Sequence, residues 1–391
     1  MSNESSNELV VNPAPHITST MSKTRIMQYT FAALLVITIV TSILWISVSC
    51  PTDSQLESYP TLSNVWQMPL GLILLLNALI AMGVAVGIDV LFNKVVSDSE
   101  LNIWSSAVFG LIVALSYSLG VPAMAMGADP IPVANFTAPN AFLFVALIAL
   151  IGQVVFKKVQ GIGGRKLVNP AAAAKLLILL PMLGSMLLPS EHFASFEAGG
   201  LAMPRLAGPI AATEIIGSNG GGGFGDYLIG CFANPSSMEA GNLNSLMLFN
   251  KFHGWPGGAS SLLVIIVGIA LFALGYKYFK WKVTASYFVS IAIMSVLMST
   301  IYADADLLTR LLFTLFIGSS IFLGFFMATD PATTPFSGTG QLIFGVGLGI
   351  LTVLIQTYMN FFGGSILALI IMNLTVPFID RIRIGKPFGR K

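Results

Sequence analysis

Three proline-punctuated turns carry polar groups that could face a bound partner. Met124-Ala125-Met126-Gly127-Ala128-Asp129-Pro130-Ile131-Pro132 and Met327-Ala328-Thr329-Asp330-Pro331-Ala332-Thr333-Thr334-Pro335 both read as a helix stopped at Asp-Pro, because the residue before proline is pushed out of the α region. The third, Gly161-Ile162-Gly163-Gly164-Arg165-Lys166-Leu167-Val168-Asn169-Pro170, is a glycine-rich hook. There Asn169 is placed to cap a helix and Pro170 suits its first position. Such a start offers N–H groups and a partial positive charge, useful for gripping an anion or a polar ring edge. Chemistry is also expected in the one long hydrophilic interruption, which contains Ala211-Ala212-Thr213-Glu214. The run Gly217–Asp226 inside it is not a phosphate loop: no Gly-Lys-Ser/Thr follows and no strand precedes it, so it reads as a flexible linker. With two cysteines and three scattered histidines, His16, His192 and His253, metal-cluster ligation by this chain alone is not expected.

The elements that must position these groups are membrane helices. A hydrophobic content of 55% with 9% charged residues leaves too little polar surface to cover a soluble domain of 391 residues. Ten apolar runs near 20 residues long are predicted to span a bilayer: Ile26–Ser49, Leu70–Phe92, Trp104–Met126, Asn140–Phe156, Pro170–Leu188, Ala259–Phe279, Thr284–Ile301, Leu307–Ala328, Gln341–Tyr358 and Gly364–Ile379. They are continuous rather than alternating, which favours helices over barrel strands. The expected fold is therefore an all-α polytopic membrane protein. Its parts are a cytoplasmic segment (1–25), a first five-helix half (26–188), an exocytoplasmic loop region (189–258), a second half (259–379) and a basic tail (380–391). Placing both termini in the cytoplasm leaves only Lys175, Arg205, Lys251 and Arg310 of the 19 basic residues off that side. The net charge of +2 then reports orientation and gives no case for nucleic acid.

Because the two Asp-Pro loops are five spans apart, they fall on opposite faces, as an inverted duplication of spans one to five and six to ten requires. Polar residues in the spans, Asn77, Asp89, Gln153, Lys175, Gln356 and Asn373, are candidates for an ion path. Most of them are expected to bond across helices for structure.

Several segments in matching order carry a resemblance. Leu9-Val10-Val11-Asn12-Pro13-Ala14-Pro15-His16-Ile17 resembles the amino-terminal Pro-His signature of the D subunit of the Rnf complex, a relative of the B subunit of the sodium-pumping NADH:quinone reductase. Val168-Asn169-Pro170-Ala171-Ala172 is similar to that family's glycine-rich Phe-Asn-Pro-Ala segment. The stretch Thr329–Pro335 with Gly340-Gln341-Leu342-Ile343-Phe344-Gly345 resembles its Thr-Asp-Pro loop and following helix, and Met372–Asp380 its closing segment.

The resemblance implies a flavoprotein subunit of an ion-translocating oxidoreductase of the cell membrane, moving Na⁺ or H⁺ together with other membrane and peripheral subunits, and holding no complete catalytic site of its own. It implies FMN bound covalently through its phosphate to a threonine, in a motif approximating Asp-x-x-Ser/Thr-Gly-Ala-Thr. Ala212-Thr213 matches the end of that motif, while Ala207, Ile210 and Ala211 stand where the family has Asp, Ser/Thr and Gly. Gly208 and the Gly220–Gly223 run would let a phosphate reach Thr213, and Arg205 or Lys251 could supply the countercharge. Asp330, Thr333, Thr334 and Asn169 are the further expected cofactor contacts, and a second, non-covalent flavin such as riboflavin is compatible with the family. The alternative class is a small-solute channel or secondary transporter, which an inverted repeat suits equally well.

Overall fold

The computed structural model describes residues 22–44, 46, 70–95, 101–117, 138–160, 166–177, 255–302, 307–316, 320–358 and 364–382. Every regular element among them is helical. Before the long insertion lie α1 (Lys23–Leu44), α2 (Leu70–Val95), α3 (Ile103–Ser116), α4 (Ala138–Ile151) and α5 (170–177). After it, a 3₁₀ turn (Pro256–Gly258) leads into α6 (Ser261–Leu274), α7 (Trp281–Tyr302), α8 (Leu307–Phe316), α9 (Ser320–Phe322), α10 (Gly338–Tyr358) and α11 (Gly364–Ile379). Two helices continue in wider π-helical form: α4 through Gly152–Val159, and α9 through Leu323–Met327. Thr213, Ala212, Arg205, the Asp129 loop, both cysteines and the three histidines lie outside the described residues.

The helix starts follow from capping residues. Asn102 Oδ1 accepts from Ser105 N at 3.0 Å at the head of α3, and Ser260 Oγ from Leu263 N at 3.3 Å at the head of α6. Ser337 Oγ accepts from Gly340 N at 3.0 Å. That cap lets α10 begin at Gly338, three residues before the apolar run that predicts it.

Burial is inverted relative to a soluble protein. Leu79, Ile266 and Ile293 are among the large apolar side chains left exposed, while Asn77, Gln153, Thr352 and Asn373 are buried. Five helices, including Gly71–Val95 and Trp281–Ile301, are long and apolar enough to cross a bilayer, and three shorter apolar helices accompany them. This is a multi-pass membrane protein. With lipid outside, contact between helices depends on close approach of small residues rather than on apolar burial. Gly345 and Gly349 of α10 lie against Ser286 and Ser290 of α7, and a Cβ at Gly349 would come within 2.8 Å of the Tyr287 carbonyl oxygen. Ser290 Oγ donates to Val346 O at 3.0 Å across the same seam.

One end of the bundle carries Lys158 and Lys280. Lys158 pairs with Asp89 near the end of α2, whose carboxylate also accepts from Asn102 N at 3.0 Å. Lys280 donates to Pro331 O and Thr334 O, each at 3.0 Å. Asp380, just past α11, accepts from Phe336 N at 3.1 Å, and the Phe336 ring lies 5.4 Å from the Lys280 amine. Ile26 and Met27 of α1 line the same cleft as Pro331. The start of α1 and the end of α11 therefore share one end of the bundle, the relation that an even number of crossings produces.

A cleft built on a capped helix start and a helix stopped at Asp-Pro

At that lysine-bearing end, a cleft opens between the elements before the insertion and those after it. Its walls come from Ile26, Met27 and Thr30 of α1, Ser105, Val108, Phe109 and Ile112 of α3, Lys157 of the first π-segment, and the hook with Lys166 and Asn169–Ala171. Across it stand Leu271, Tyr278, Phe279, Phe325, Phe326, Thr329 and Asp330. The open space among these residues is about 830 Å³, a figure that takes in the open mouth.

Asn169 is the joint that closes the cleft's floor. Its Oδ1 accepts from Ala171 N at 3.1 Å and from Ala172 N at 3.2 Å, and its own carbonyl accepts from Ala173 N at 2.9 Å. Its Nδ2 donates to Met327 O at 3.2 Å, so the hook is tied to the end of the second π-segment, 158 residues later in the chain. The cap thus forms as the Asn-Pro pair predicts. Because these bonds occupy the first N–H groups, the helix start offers the cleft its dipole rather than free donors.

The Asp330 loop is organised from within. Asp330 Oδ1 accepts from Ala332 N at 3.1 Å, and Oδ2 from the Thr333 hydroxyl at 3.3 Å. Thr334 Oγ1 donates to Asp330 O at 2.7 Å and accepts from Lys280 Nζ at 2.7 Å. Of the expected contacts, Asn169 and Asp330 reach the cleft. Thr333 and Thr334 are buried behind them and hold the loop's shape.

Lys157 was not singled out by sequence, where it reads as one more orienting charge. The π-helical turn brings it inward: its amine donates to Ser106 Oγ at 3.1 Å and sits 5.5 Å from the centroid of the Phe109 ring. Gln153, four residues earlier on the same face, donates to the same hydroxyl at 2.9 Å. A polar residue four positions before a lysine in an apolar run was the available signal.

The six ion-path candidates divide evenly. Asp89 and Gln153 bond across helices as described, and Lys175 donates to Ser116 O with its amine 4.4 Å from the Trp255 ring centroid. Asn77, Gln356 and Asn373 are buried with both side-chain amide atoms unpartnered. The expectation of mostly structural bonding holds for three and fails for three.

Relatives of this chain are subunits of ion-translocating oxidoreductases by name. It is 29% identical to the D subunit of the ion-translocating oxidoreductase complex of Stutzerimonas stutzeri over 60% of this chain and 66% of that protein, so it spans about two thirds of that relative's length. It is 24% identical over 97% of its length, and 95% of the other's, to the D subunit of the Na(+)-translocating ferredoxin:NAD(+) oxidoreductase complex of Acetobacterium woodii. A third relative, the B subunit of the Na(+)-translocating NADH-quinone reductase of Stutzerimonas stutzeri, is 26% identical over 63% of this chain and 56% of that protein. Residues 133–389 match the model of the NQR2, RnfD, RnfE family, and the chain belongs to that family.

Proposed function

We propose that this protein is a flavin-bearing membrane subunit of an ion-translocating oxidoreductase complex, with FMN attached to Thr213 and a second, non-covalent flavin in the cleft. The observation that supports the cleft assignment most is its lining. Phe109, Phe279, Phe325 and Phe326 offer faces and edges for a planar aromatic ring, while Lys157 offers an N–H donor and the α5 dipole a partial positive charge at one side. These residues fit a flavin ring, whose chemistry when bound is to accept and pass on electrons.

The chain's own contribution is placement and electrostatics. The Asn169–Met327 bond fixes the distance between the two sides of the cleft. Lys157, held by Ser106, would present an N–H donor to a polar edge of a bound ring. The aromatic and aliphatic walls keep water from the ring faces. Relatives named as subunits of ion-translocating complexes support the same reading and, with it, partner subunits of a complex; the Lys/Arg asymmetry supports a cell-membrane protein with cytoplasmic termini. A solute transporter could share the helices and an aromatic-lined cleft, and the relatives named as oxidoreductase subunits favour the flavin reading over it.

The test is the chain expressed with its complex and its flavin transferase. Thr213→Ala should abolish the fluorescent band that a covalent flavin leaves on a denaturing gel, while acid-released flavin from the cleft persists. A native chain that fluoresces equally with Thr213→Ala would place the covalent group elsewhere.

A further inference from the structure

The turn between α6 and α7 alternates rings and amines, Tyr276-Lys277-Tyr278-Phe279-Lys280-Trp281-Lys282. Its lysines have different tasks. Lys280 is spent on the Asp330 loop, where it donates to Pro331 O and Thr334 O. Lys282 lies instead over the first residue of α10: a Cβ at Gly338 would come within 3.0 Å of its Nζ. The same helix start packs against the end of α11, since a Cβ at Gly340 would meet Ile379 Cγ2 at 3.1 Å. Just past that end, Arg381 stands exposed, 5.9 Å from the centroid of the Phe378 ring.

Little inside the chain answers this positive charge. Neither α7 nor α10 has an acidic residue in its first turn, so the partial positive charges of two helix starts add to the lysines. Asp380 is the carboxylate at hand, and Phe336 N donates to it at 3.1 Å. Beyond it the sequence adds Arg383, Lys386, Arg390 and Lys391. Basic residues clustered directly after a membrane helix are a signature of binding to anionic lipid.

The neighbouring apolar groups point the same way. Phe336 and Phe378 are 69% and 66% exposed, and Trp281 is exposed as well, the arrangement of rings found where membrane meets water. Further along the helices, α10 leaves Ile343 and Val346 outward and α11 leaves Ile371 and Leu374 outward. A cationic rim, rings at the boundary and an apolar strip beneath suit a molecule with an anionic head and hydrocarbon chains. An acidic peptide would use the rim and leave the strip.

We propose that this surface is a fixed site for one anionic phospholipid of the surrounding bilayer, its headgroup on the rim formed by Lys282 and Arg381 and its acyl chains along the outward side chains of α10 and α11. A zwitterionic headgroup would bring its own cation against Lys282 and Arg381, with Asp380 already engaged by Phe336 N. A glycerol headgroup brings none. Residues 336–338 continue directly from the Asp330 loop that walls the cleft, so an occupied site braces that loop. The proposal does not rest on the flavin reading.

The test is lipid retention by the purified full chain, equilibrated in mixed micelles with equal amounts of phosphatidylglycerol and phosphatidylcholine and analysed by native mass spectrometry. One phosphatidylglycerol per chain should be retained in preference to phosphatidylcholine. Lys282→Gln and Arg381→Gln should each lower that retention about fivefold, the effect of one basic residue near an anionic lipid surface. Lys282→Arg should keep it, and so should Lys277→Gln, an equal charge change in the same turn at a lysine that lies against Tyr276. Equal retention of the two lipids would overturn the proposal. So would an equal loss from Lys277→Gln, which would reduce the surface to the general attraction that sets orientation. Carbodiimide cross-linking of Lys282 to a carboxylate of another subunit in the intact complex, with no lipid retained by the chain, would assign the rim to an acidic protein partner instead.

Discussion

Replacing Asn169 by Ala removes two separate supports at once, and the structure gives the size of each. The side-chain oxygen caps α5 through Ala171 N and Ala172 N, a contribution of about 1 kcal/mol. The side-chain nitrogen donates to the buried carbonyl of Met327, which also accepts from Asp330 N at 3.4 Å, so its loss costs the net value of one hydrogen bond, about 0.5–1.5 kcal/mol. Asn169→Ala should therefore destabilise the folded chain by about 1.5–2.5 kcal/mol. Asn169→Ser keeps a capping oxygen but is too short to reach Met327, so it should lose only the second part, about 0.5–1.5 kcal/mol. Denaturant titration in mild detergent gives the ranking, and acid-released flavin per chain reports whether the two sides of the cleft remain joined. The order wild type, Ser, Ala is expected in both. An Asn169→Ala protein within about 0.5 kcal/mol of wild type, with full flavin content, would refute the reasoning.

Gly268→Leu should empty the cleft without touching it: a Cβ there would approach Phe325 Cγ to 2.6 Å and drive the ring toward the cleft it lines, whereas Gly258→Ala, with nothing within 4 Å, should be silent. Flavin retained per chain is the readout. Asp89→Asn removes the ion pair with the Lys158 amine, 14% exposed, and should destabilise the chain by about 1–3 kcal/mol. The double change with Lys158→Met should cost less than Asp89→Asn alone, which a double-mutant cycle in detergent measures. Ser218→Cys, within the long insertion, should react with an impermeant thiol reagent added outside the cell and not with one confined to the cytoplasmic side; the reverse would invert the topology.

The helical membrane class and the two helix-ending signals were readable because each rests on a local rule. Asn169-Pro170 specifies a cap and Asp330-Pro331 a stop whatever surrounds them, and both form as expected. The joining of Asn169 to Met327 was not readable, since it spans 158 residues and depends on how two helices pack. Nor was the inward turn of Lys157, because adjacent lysines at a span end look alike until a π-helical turn sends one to Asp89 and the other to Ser106.

Passage of electrons through flavin held by this chain is tested most directly by flavin stoichiometry. Protein purified from native membranes is divided by acid precipitation into a soluble and a chain-bound fraction. One flavin released from the cleft and one FMN mass remaining on the peptide that contains Thr213 is the predicted result. A chain with no flavin in either fraction would contradict it.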